Sequence, residues 1–138
     1  MKEQIVSIEV AKMAKEIGFN WGTTSHYKGE KLINNGVPYN LNNKRVQRKW
    51  KIEMTSAPTQ SLLQKYYREK HNILVNIVPV GNNNNELKYY YYTIYGVDTK
   101  GGVHNINRFL TYEKALEEGL RKCGEYILTQ QVQIKQNN

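Results

Sequence analysis

The chain has a single cysteine, Cys123, so it cannot form an internal disulfide or a cysteine-based zinc cluster. That usage suits a reducing cytosol. Aspartate also occurs once, as Asp98, so any carboxylate pair for acid–base chemistry would have to come from glutamates. No run approaches the ~18 apolar residues that a membrane-spanning helix needs. The first residues, "MKEQIVSIEVAKMAKEIGF", carry acids and lysines throughout and have no apolar core of the secretory type. The expectation is a soluble protein of the cytoplasm. Its 138 residues are enough for one domain with a real core, expected over 1–130, followed by a polar tail at 131–138.

Motifs for catalysis are also scarce. His26, His71 and His104 have no ligand spacing among them, and no cysteine pair joins them. "TKGGVH" leads into a strand and not a helix, so it does not read as a phosphate cradle. Ser25 and His26 are adjacent without forming a triad. Glu117 and Glu118 read as the solvated face of a helix. Cys123 falls on an apolar stripe, which points to a buried thiol. The expectation is a non-enzyme with no cofactor and no metal.

Asparagine, lysine, isoleucine and tyrosine are plentiful. An AT-rich genome would give this bias without selection on function. The net charge is +8, and residues 44–72 account for +6 of it, with eight Lys or Arg against two Glu. A local excess of this kind can form one surface potential.

Residues 7–17 predict a helix: Val10, Met13, Ala14 and Ile17 make one apolar face, Ser7 caps it, and Gly18 with Phe19 ends it. "SHYKGEKLI" predicts a hairpin around Lys28 and Gly29, and "NNGVPYNLNN" a loop. In "KRVQRKWKIEM" the alternation of Trp50, Ile52 and Met54 predicts a half-buried strand. A second helix is predicted over 55–72, with Pro58 in its first turn and Leu62, Leu63, Tyr66 and Tyr67 on its packed face. Strands follow at 73–80, 87–98 and 103–110, with Pro79 marking an edge or a strand end and "TKGG" a turn. The last helix is predicted over 112–128. Leu116, Leu120, Cys123 and Ile127 form its core stripe, and Ala115, Gly119 and Cys123 form a small-residue track suited to close approach to a sheet. The fold class is α+β. An antiparallel sheet carries two helices on one face, in the order helix–strand–strand–strand–helix, with an N-terminal helix and hairpin added.

Within "KYYYYTIYG", alternation divides the tyrosines between two faces. Tyr90 and Tyr92 share the core side with Ile94. Tyr89, Tyr91 and Tyr95 share the open side. They either fill a half-buried strand or form a contact surface. "KRVQRKWK" gathers Lys44, Arg45, Arg48, Lys49 and Lys51 around Trp50, and the next helix adds Lys65, Arg68 and Lys70. These cations suit phosphates, and they equally suit an acidic protein partner. The expected partners are nucleic acid or an acidic protein. Self-assembly is a further reading, and no membrane is expected.

The segments "VSIEVAKMAKEIGFN", "APTQSLLQKYYREKHNI" and "FLTYEKALEEGL" together resemble a family of small uncharacterised proteins of phages and prophages of gut bacteria of the Bacteroides group. The resemblance runs from about Val6 to Ile127. It implies an accessory protein of an infected or lysogenic cell, and it brings no activity, catalytic residue or cofactor. From 57 to 128 the element order is also similar to the double-stranded RNA-binding domain, which reads A-form shape and phosphates. That family grips phosphate with lysines at the start of its last helix. The corresponding stretch here has Glu113, Glu117 and Glu118 beside Lys114.

Overall fold

A computed structural model describes residues 3–51, 53–96, 103–104 and 107–137, with the backbone alone at 46, 50, 103 and 104. The architecture is α+β, with four helices and two antiparallel three-stranded sheets among the described residues. The chain divides into two compact units, Met1–Leu63 and Gln64–Asn138.

The first unit opens with α1, Ile8–Ile17. The Ser7 side chain accepts a hydrogen bond from Val10 N–H, and Glu9 lies in the first turn. Gly18 ends the helix in the left-handed region at φ +113°, donating to Lys15 O, while Phe19 N–H donates to Ala14 O. This is the Schellman pattern that Gly18–Phe19 predicts. Val10, Ala11, Ala14 and Ile17 are buried.

A two-residue turn at Gly29 and Glu30 joins β1, Thr23–Lys28, to β2, Lys31–Tyr39. β3, Met54–Ser56, pairs with the other edge of β1. The sheet order is therefore β2-β1-β3. The expected loop at 34–39 is instead strand with an irregular register, in which Ser25 pairs with Asn34 and Thr23 with Tyr39. Asparagine side chains make this possible by taking the place of backbone partners. Asn35 Nδ2 donates to Thr23 O and Val37 O, and Asn34 Oδ1 accepts from Gly36 N–H. Asn42 likewise bridges Phe19 O and Ser56 N–H.

Two expectations in this unit need correction. Residues 44–50 are not a strand: they form α2, Lys44–Trp50. Asn43 Oδ1 accepts from Arg45 N–H, giving the helix an N-cap, and Lys51 at φ +52° closes it. Val46 and Trp50 are four residues apart, which fits a helix as well as the alternation beyond Trp50 fits a strand. Ile52, part of that alternation, lies outside the described residues. The next helix also starts later than expected. Thr55 and Ser56 are paired in β3, and α3 spans Gln60–His71. Thr59 Oγ1 accepts from Leu62 N–H, so the cap is Thr59 and Pro58 precedes it.

In the second unit the sheet order is β4-β5-β6, formed by Leu74–Gly81, Leu87–Tyr95 and Val103–His104. Phe109 extends this edge through paired backbone bonds with Tyr90. The turn expected at 99–102 lies outside the described residues. β4 is an edge, as Pro79 suggests. Gln64 Nε2 donates to Val75 O, so that carbonyl faces away from β5. The two-residue repeat then places the missing N–H of Pro79 on the same outer side.

α4, Tyr112–Gln136, packs on β4 and β5. Thr111 caps it by accepting from Lys114 N–H. Ala115, Leu116, Gly119, Leu120, Cys123 and Ile127 are buried, as the stripe and the small-residue track predict. A Cβ on Gly119 would stand 2.6 Å from Val75 Cγ1 and 3.2 Å from the Tyr92 ring, so the helix lies too close to the sheet here for a side chain. The helix also continues past the expected end at 128 into the polar residues 129–136. No helix among the described residues is long and apolar enough to cross a membrane.

Candidate functional site

α2 turns the basic sequence into a surface. Lys44, Arg45, Arg48 and Lys49 are exposed on the helix, and Lys51 is exposed just beyond it. Gln47 is half-buried and anchors the helix, its Nε2 donating to Met54 O at 3.3 Å. The same carbonyl accepts from Lys15 Nζ at 2.8 Å. Burial holds the Lys15 ammonium below its usual pKa despite the nearby Glu53. There is no carboxylate within residues 44–52. Among the described residues, none forms an ion pair with Lys44, Arg45, Arg48 or Lys51.

Lys65 and Arg68 are exposed on the part of α3 that belongs to the second unit. Lys65 Nζ lies 3.9 Å from Glu69 Oε1, one helical turn away. The cations at 44–51 and those at 65–68 therefore belong to different units.

The expected division of the tyrosines holds at Tyr92 and Tyr95, while Tyr89, Tyr90 and Tyr91 are all half-buried. Tyr92 is 1% exposed and Ile94 is fully buried, whereas Tyr95 is 45% exposed. Tyr90 is only half-buried, its ring standing edge-on to Tyr112 with centroids 6.1 Å apart. On the opposite face Tyr89 and Tyr91 are half-buried, and Thr93 between Tyr91 and Tyr95 is buried. The guanidinium of Arg108 lies over the Tyr89 ring, 4.6 Å from its centroid. Sequence reasoning missed Arg108. Phe109 packs near Tyr92 on the core side, and alternation from it places Arg108 on the opposite face, the one that carries Tyr89.

Among the described residues Cys123 and His26 are buried and His71 is half-buried, while the side chain of His104 lies outside them. Burial pushes the Cys123 thiol up to about 12, so it stays protonated near neutral pH. The neighbouring Tyr67 phenol is raised by burial as well. His26 is buried and its Nδ1 lies 3.2 Å from Asn35 Oδ1. His71 meets the rings of Tyr66 and Tyr67 edge-on, and burial lowers its pKa. Comparison with protein-family models, curated proteins and solved structures gave no match.

Proposed function

We propose that the protein is a non-catalytic binding module that holds the phosphate backbone of a nucleic acid through α2. The observation that supports this is the set of exposed cations at Lys44, Arg45, Arg48, Lys49 and Lys51, with no carboxylate inside the segment. Seven helical residues span ~10 Å. At one phosphate per ~3.4 Å of axis on each strand, about three phosphates come within reach. Counterion release then supplies the affinity. The resemblance of residues 6–127 to phage and prophage proteins supports an accessory role in an infected bacterial cell.

The test is capture of partners from bacterial lysate with and without nuclease, using the parent and the triple variant Arg45→Glu, Arg48→Glu, Lys49→Glu. Nuclease-sensitive capture of nucleic acid, lost in the variant, is the expected result. Nuclease-resistant capture of an acidic protein by the same cations would replace this reading with the protein-partner one.

A further inference from the structure

We infer that the face of the second sheet bearing Tyr89, Tyr91 and Tyr95, with Thr93 buried between the last two, is a stacking surface for the unpaired bases of a single-stranded nucleic acid. This builds on the nucleic-acid reading of α2 but stands on a different surface, in the other unit.

Tyr89, Tyr91 and Tyr95 project from one face of β5. On β4, Val78 is paired with Tyr91 and Leu74 with Tyr95, so each of these two rings has an apolar neighbour on the same face. Tyr95 and Leu74 are exposed, at 45% and 36%, and Tyr89 and Tyr91 remain partly accessible. Rings two residues apart stand about 6.8 Å apart along a strand. That is twice the ~3.4 Å rise of stacked bases, so each ring can take one base without crowding the next.

Charge complementarity selects the occupant. None of the β4 and β5 residues on this face is a carboxylate, and Arg108, stacked on Tyr89, brings a cation to it. A guanidinium plane over a ring can stack a base and face a phosphate at once. A duplex keeps the faces of its bases stacked inside, so only unpaired bases can use such a surface.

The experiment measures binding by fluorescence anisotropy to three labelled probes of equal length: oligothymidylate, its duplex with oligodeoxyadenylate, and a base-free deoxyribose-phosphate strand. The parent should bind the single strand at least about tenfold more tightly than either other probe, as stacking of one or more bases implies. Tyr91→Leu and Tyr95→Leu should each remove about tenfold from single-strand binding and leave the base-free probe unchanged. If Tyr91→Leu fails to fold by circular dichroism, the exposed Tyr95→Leu decides alone.

Equal affinity for the three probes, or parental affinity in the leucine variants, would overturn the inference. If, in that case, the α2 charge reversal still abolished binding, the reading of α2 would survive by itself. If no probe bound the parent, both would fall. Concentration-dependent self-association that protects Tyr95 would assign the face to a second copy of the chain, and would also overturn the inference.

Discussion

Tyr67 and Tyr92 are both fully enclosed. Among the described residues the Tyr67 hydroxyl is buried with no hydrogen-bond partner. Such a group loses its bonds to water and regains nothing, a cost of about 1–3 kcal/mol. Tyr67→Phe should therefore be neutral or should raise stability by up to about that amount, as read from urea unfolding midpoints. Tyr92 is wedged between α4 and Phe109, and Tyr92→Ala should cost about 3–5 kcal/mol. At half-exposed Tyr95 the same change should cost less than about 1 kcal/mol. Equal losses at 92 and 95 would mean that the strand does not present two different faces. The division between Tyr92 and Tyr95 was legible because a strand alternates strictly. The burial of Thr93 was not, since it depends on what packs beside the strand and not on its period.

Helix α1 was legible in the sequence because cap, stripe and stop all agree; α4 was legible in its cap and stripe but not in its end, which lies beyond 128 among polar residues. α2 was not, because two periods overlap at Trp50 and the Asn43 cap decided between them. β2 from Asn34 onward was hidden for another reason: its asparagines, glycine and proline read as loop, and only the folded hairpin shows the asparagine amides taking over backbone bonds. The contact of α4 with its sheet gives a test at this scale. Leucine at 119 would have to displace Val75 and Tyr92, so Gly119→Leu should cost about 1–3 kcal/mol despite leucine's better helix propensity. Parental stability would show that the helix does not rest there.

The end of α3 gives a pH test. Burial holds His71 below its ordinary value of 6.5 in the folded state, and unfolding restores that value. The unfolded chain therefore takes up the proton first as pH falls. The contribution of neutral His71 is fully present above about 6.5 and is lost as pH drops below it, toward the folded pKa. In His71→Phe, the part of the stability loss between pH 7 and pH 5 that is due to this residue should disappear.

At the scale of the molecule, charge and fold are distributed differently. Each unit has its own sheet and its own buried residues, while most of the excess positive charge falls between residues 44 and 72. The local excess was plain in the sequence. Its assignment to two units was not, because the boundary falls inside α3, where no composition shift marks it. In the first unit the cations of residues 44–51 lie exposed on α2 and at its end, and the proposed phosphate binding rests on them. In the second, Lys65 faces Glu69, and an exposed pair of this kind adds little to stability or to binding.

The most direct test of the central claim is a salt titration of nucleic-acid binding, using a labelled oligonucleotide with the parent and with Arg45→Glu, Arg48→Glu, Lys49→Glu. With about three phosphates neutralised, parental affinity should fall roughly 20- to 40-fold between 50 and 200 mM salt. The variant should bind far more weakly and with a flatter slope, while keeping the parent's circular dichroism spectrum. Parental binding that stays constant across that range, or a variant that binds as the parent does, would contradict the assignment of α2 as the phosphate-binding element.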